Sequence, residues 1–201
     1  MYSQIYILEY TYLSLMYHLS ISRVTARLRF TTPVHLPYWL GSGFRGVFGR
    51  TLKSVVCFNP ELGCIKCNFT NECLYYHIYE RYKAKRGYAP PKKPIVIIPP
   101  FFGREMRFDK GSYIDVDILF FGDFKGYLPH VVLALHLSGD RGIGVQRHYG
   151  MNRFYIEHIR DFFTDKMIFE DGVIDIRNLA LVRCEELNFD GAYKKIIVGF
   201  R

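Results

Sequence analysis

From Arg23 to Thr31 the sequence RVTARLRFT alternates strictly between polar and apolar residues, and a period of two is the signature of a half-buried β-strand. Val24, Ala26, Leu28 and Phe30 fall on one face, and Arg23, Thr25, Arg27 and Arg29 on the other. Such a strand cannot stand alone. Its edges need neighbouring strands, its apolar face needs a cover, and its outer face is basic. The nearest cover follows at once. GSG opens a stretch in which Phe44, Val47, Phe48, Thr51, Leu52 and Val55 recur at helical spacing, with Ser42 placed to cap it. Between strand and helix, TTPVHLPYWL carries two prolines that cannot donate backbone hydrogen bonds, so it is expected to run as an irregular or extended connector.

The rest of the chain supplies more of both elements. PIVIIPP reads as a buried strand ended by Pro99 and Pro100, and YIDVDILFF as its partner, with the charged connection GREMRFDKG between them. YLPHVVLALHLSG places apolar residues at helical spacing, with Pro129 in the first turn and Gly139 at the stop, and predicts a second helix. In MNRFYIEHI, Phe154 and Ile156 alternate with Arg153, Tyr155 and Glu157 as in a strand. The predicted order is strand, helix, strand, strand, helix, strand. That is the order of an α+β, ferredoxin-like (RRM-like) βαββαβ domain, an antiparallel sheet backed by two helices. The expected layout is an N-terminal extension over 1–22, the ferredoxin-like domain over 23–160 with a Cys-containing insertion at 57–90, and extra C-terminal strands over 161–201, read from GVIDI, LALVRC and YKKIIVGFR. With 201 residues, 49% of them hydrophobic, the chain can bury one substantial core, and a disordered chain is excluded.

Lys and Arg outnumber Asp and Glu by 27 to 19, a formal charge of +8, which favours an acidic partner such as nucleic acid. Two stretches gather cations with bare backbone. On the first helix Arg45, Gly49 and Lys53 lie four residues apart, readable as a phosphate track or as a solvated face with a glycine for close packing. In the loop from Gly139 to Gly150, Gly142 and Gly144 let backbone amides approach phosphates. Arg141, Arg147, His148 and Arg153 add charge there, and Tyr149 offers a stacking ring. Asp115 and Asp117 alternate along a strand face and read as solvent-facing rather than as a metal site.

Four of the five cysteines, Cys57, Cys64, Cys67 and Cys73, are packed together with six, two and five residues between them. That spacing suits either a structural zinc holding an otherwise coreless insertion or a set of reduced, half-buried thiols. The apolar N-terminus MYSQIYILEYTYLSLMYHLSIS lacks a basic leader and a cleavage site, and Glu9 and His18 interrupt it. Neither a secretion signal nor a membrane anchor is expected, and a cytoplasmic location follows.

Several motifs, taken in order, carry a resemblance: LRFTTPVHLPYWLGSGFRGVFGRTL, the cysteine segment CFNPELGCIKCNFTNECLYY, IVIIPP, ILFFG, YLPHVVLALHLSG and RGIGVQRHYGMNRF. Over about residues 20 to 160 they resemble the N-terminal half of the CRISPR-associated RAMP endoribonucleases that process repeat RNA. The resemblance implies binding of CRISPR repeat RNA and, in a complete enzyme, metal-independent cleavage leaving a 2′,3′-cyclic phosphate, with no cofactor needed for the chemistry. A base must then activate the 2′-hydroxyl, an acid must protonate the leaving oxygen, and a cation must stabilise the transition state. His35 and Tyr38 lie where the resemblance implies a catalytic histidine region, with Lys53 as electrostatic partner and His77 and His148 as alternatives. Arg45, Arg141, Gly142, Gly144, Arg147, His148 and Arg153 are the implied RNA contacts. Family members carry two ferredoxin-like halves, and KKIIVGFR looks like the first strand of a second, so a homodimer, a separate second half or effector-complex subunits are the expected partners. Two alternatives stand beside the enzyme: a non-catalytic RAMP subunit of an effector complex, and a zinc-stabilised interaction module.

Overall fold

In the computed structural model, which describes residues 19–80 and 94–183, the alternating segment is the central strand β1, Ser20–Phe30. It begins at Ser20 rather than at Arg23. On one side β1 pairs antiparallel with β5, Tyr113–Phe121, whose far edge carries β3, Ile95–Ile98. On the other side it pairs antiparallel with β6, Phe154–Asp161. Beyond β6 lie β7, Met167–Glu170, and β8, Val173–Ile174, while β9, Val182–Arg183, pairs with the start of β1. The path across the sheet is β3-β5-β1-β6-β7-β8. Among the described residues GVIDI and LALVRC thus contribute two strand residues each. The N-terminal extension through residue 18, the basic stretch 81–93, Cys184 and YKKIIVGFR lie outside the described residues.

Two helices, α1, Gly41–Val56, and α2, Leu128–Arg141, cover one face of the sheet. Phe44, Phe48 and Leu52 of α1 and Val131, Ala134 and Leu135 of α2 close one core with Val24, Ala26, Leu28 and Phe30 of β1. The predicted apolar face of β1 is therefore the inner face, and the described chain is an α+β fold on an antiparallel sheet. The helices are tied to each other by a buried hydroxyl pair, Thr51 Oγ1 and Ser138 Oγ at 2.8 Å. Each hydroxyl also lies against a carbonyl of its own helix, so neither is left without a partner.

Three local expectations are corrected. Ser42 does not cap α1. The cap position falls on Leu40, no side chain caps the helix, and Gly41 is drawn into the first turn beneath the Trp39 indole, 2.8 Å from where a Cβ would stand. α2 does not stop at Gly139 but runs on to Arg141 and ends at Gly142, whose φ of +75° reverses the chain. Gly139 serves packing instead: a Cβ there would lie 2.1 Å from the carbonyl oxygen of Phe154 in β6. The two presumed connectors also contain strands, β2, Val34–Leu36, and β4, Met106–Phe108, which pair antiparallel as a separate ribbon. Three residues are too few for an alternation to register. Among the described residues no helix is long and apolar enough to cross a membrane.

Candidate nucleic-acid interface

The outer face of the sheet carries the arginines of β1, but their charge is matched strand by strand. Arg23 bonds the Asp117 carboxylate, Arg27 grips Asp115 through two bonds of 2.9 Å, and Arg29 grips Glu157 at 2.7 and 2.8 Å. A bulge opposite Arg27 and Leu28 turns both Glu157 and His158 of β6 toward this row. The hydrogen bond from Arg27 holds the Asp115 carboxyl below the usual range. Burial, reinforced by Arg160 and Arg27, lowers His158 from its ordinary value. The basic outer face expected from the alternation is thus a row of ion pairs, in which Asp115, solvent-facing as expected, and half-buried Asp117 are the partners of Arg27 and Arg23.

Uncompensated cations gather elsewhere, where α1 meets the loop after α2. Arg50 on α1 is lowered from its ordinary value, first by burial and then by repulsion from Arg147 and Arg141. Among the described residues none of the three forms an ion pair with a carboxylate. Three like charges held together without counter-charge are stable only beside solvent or an anion. The loop itself depends on its glycines. Gly142 and Gly144 sit at φ +75° and +73°, and a Cβ on Gly142 would lie 2.7 Å from the Met151 carbonyl oxygen. Gly43 of α1 packs against the backbone of Gly144, 3.6 Å from its Cα to an added Cβ.

Asn152 fastens this loop to the β2 ribbon. It is buried at φ +60°, its Oδ1 accepts from the His35 N–H at 2.8 Å, and its Nδ2 donates to the carbonyls of His35 and Ile143 at 2.9 Å each. His35 is thereby fixed beside the glycine loop and the first turn of α1, in a cleft of about 290 Å³ that also takes in Trp39, Glu105, Gly144 and Gln146. Its Nε2 lies 3.1 Å from Glu105 Oε2.

Of the predicted site residues, His35, Arg141, Gly142, Gly144 and Arg147 are brought together around this cleft and cation cluster. His148 and Tyr149 follow on the same loop and are exposed, Tyr149 at 80%, and exposed Arg153 donates its N–H to Thr32 Oγ1. Tyr38 is 61% exposed and is not among the residues lining the cleft. Lys53 does not join His35. It lies about 18 Å along α1 from the helix start, at 1.5 Å per residue, and leans on the Tyr75 ring at 5.5 Å. The expected phosphate track is also covered. Arg45 lies over Tyr79 at 4.6 Å, and that ring rests on Gly49, 2.7 Å from where its Cβ would be. Burial pushes the Tyr79 phenol up to about 12, and its hydroxyl donates to the Arg45 carbonyl at 3.0 Å. His77, an alternative catalytic histidine, is bound to the Asn71 carbonyl oxygen at 2.7 Å.

Sequence reasoning missed Arg50, Asn152 and Glu105. Arg50 was legible as one more cation of α1 but stands off the four-residue spacing followed there. Nothing in the sequence marks Asn152 or Glu105. The four cysteines are free, half-buried thiols following α1. Cys67 N–H donates to Cys64 O at 3.3 Å to close the turn between them, and burial raises the Cys64 thiol. Among the described residues no group of three or more His, Cys, Asp or Glu side chains is gathered as a metal site.

Fold and cleft together define an α+β domain whose β1 arginines are paired with carboxylates and in which, among the described residues, Arg50, Arg141 and Arg147 meet without one at a helix–loop junction. Residues 19–181 match the AF_1859_N family, described as an N-terminal domain. The chain belongs to that family. It is also similar to a protein of Archaeoglobus fulgidus named only as an uncharacterized protein, 34% identical over 186 residues, which cover 92% of this chain and 61% of that relative. The chain therefore spans about three-fifths of the relative's length.

Proposed function

We propose that this is a ferredoxin-like, RNA-binding domain of the CRISPR-associated RAMP type, which holds repeat RNA at the junction of α1 and the glycine loop. The fold part of the reading is supported by the order β3-β5-β1-β6 with all neighbours antiparallel and both helices on one face. The observation that carries the function is the cluster of Arg50, Arg141 and Arg147, unpaired among the described residues, in a protein whose β1 arginines are each paired with a carboxylate. Ribose-phosphate chains take such a cluster together with glycine-freed amides.

Cleavage, on this reading, rests on His35. Its ring takes the 2′-hydroxyl proton, and Glu105 at 3.1 Å orients the imidazole and stabilises its protonated form. Repeat RNA incubated with the protein in EDTA is expected to yield 2′,3′-cyclic phosphate ends, and to yield none with His35→Ala. Binding without cleavage by the native chain instead favours a non-catalytic subunit that holds guide RNA, a second reading favoured by the separation of Lys53 from His35. The cysteine segment serves as a structural zinc holder on the same proposal. Its donors are all thiols, Cys64 and Cys67 flank a tight turn, and between Cys57 and Cys73 only Thr70 is buried, so the segment has no core of its own. One zinc per purified chain is the expected result, and a metal-free protein sinks this part alone.

A further inference from the structure

Beside His35 the cleft is lined by an aromatic ring, Trp39, that the phosphate contacts leave unused. Trp39, the only tryptophan in the chain, is 54% exposed and meets Phe101, 68% exposed, with ring centroids 6.1 Å apart and planes at 63°. The indole is positioned rather than loose, because it rests on the bare Cα of Gly41. The Glu105 carboxylate and the Gln146 amide line the same space. Glu105 Oε2 is hydrogen-bonded to the His35 ring, which orients the carboxylate. Ser42, also in the lining, makes no capping bond.

We infer that this cleft is a guanine pocket within the RNA site, an assignment that rests on the RNA-binding reading and deepens it. A base stacks on the Trp39 indole, and its Watson–Crick edge donates N1–H and N2–H to the two oxygens of Glu105. An ionised carboxylate only accepts hydrogen bonds. Of the four RNA bases guanine alone presents two adjacent N–H donors on that edge. Adenine and cytosine each set a ring-nitrogen lone pair beside their amino group, and uracil sets carbonyls on both sides of its one N–H. The Gln146 amide and the Ser42 hydroxyl, both in the lining, are able to donate to guanine O6. Stacking serves any base and supplies affinity, whereas the carboxylate supplies choice. At about 290 Å³ the cleft stands at the small end of ligand sites, the scale of one base.

Dye-labelled uridine hexamers, unmodified or with one central G, A or C, test this on the full chain through two signals, dye anisotropy for binding and Trp39 fluorescence for stacking. The guanine hexamer is expected to quench Trp39 and to bind about tenfold more tightly than the others. Glu105→Gln, at an exposed position, is expected to abolish that preference while quenching by every hexamer persists. Salt-dependent binding that leaves Trp39 fluorescence unchanged overturns the pocket and leaves the RNA-binding reading standing. So does quenching without base preference, or a guanine preference that survives Glu105→Gln. Absence of binding by every hexamer sinks both.

Discussion

Asn152 carries two separable loads. Its amide satisfies three backbone groups on two segments, and its backbone is held at φ +60°, where a residue with a Cβ costs about 1–2 kcal/mol. Asn152→Ala loses the bonds and keeps the strain, so a destabilisation of about 3 kcal/mol is expected. Asn152→Gly loses the same bonds but relieves the strain, and should be about 1 kcal/mol more stable than the alanine variant. Urea denaturation of the two variants separates the terms, and equal stabilities would assign no cost to the backbone. His158 and Asp115 add a pH dependence. Both are depressed in the folded state, so each contributes stability that is present above its unfolded pKa and lost as pH falls through its folded one. For His158 the loss begins below about pH 6.5, and for Asp115 below about pH 3.9. Melting temperature followed downward from neutrality should fall in two stages. His158→Gln should remove the upper stage and leave the lower.

At the scale of elements, two helical glycines look alike in the sequence and are expected to respond oppositely. A methyl group on Gly139 of α2 would strike the Phe154 carbonyl oxygen of β6, while one on Gly46 of α1 would meet nothing within 4 Å. Gly139→Ala should cost about 3 kcal/mol by forcing α2 off the sheet. Gly46→Ala should instead stabilise by about 0.5–1 kcal/mol through helix propensity, and thermal unfolding of both variants checks the pair of signs. This contrast also marks how far the sequence could be read. The two-residue period made β1 and its inner face legible, and the helical period did the same for α1 and α2, because these segments are long enough for a period to repeat. β2 and β4 span three residues each and carry no period. The ion pairs of Arg27 with Asp115 and of Arg29 with Glu157 depend on cross-strand register, which no single strand encodes. Lys53 was paired with His35 through the resemblance, yet twelve helical residues separate it from the start of α1 beside His35.

For the whole molecule the question is which of its cations an RNA chain would meet. Formal charge does not answer it, because the arginines of the sheet and those of the helix–loop junction count equally toward +8. What separates them is compensation: Arg27 already has Asp115, whereas Arg50, Arg141 and Arg147 repel one another without a carboxylate partner among the described residues. Only a cation that neutralises phosphate releases counterions, and each such contact to a single strand contributes about 0.7 to the slope of log K against log salt. Replacing Arg50, Arg141 and Arg147 together by alanine should therefore lower the slope for repeat RNA by about 2. Removing the neutral pair with Arg27→Ala and Asp115→Ala in one chain deletes an arginine and a carboxylate together, and should leave the slope unchanged. Titrations of both variants across a salt series decide the matter. If the slope drops for the sheet pair and holds for the cluster, RNA lies on the open face of the sheet and the helix–loop junction is not its seat.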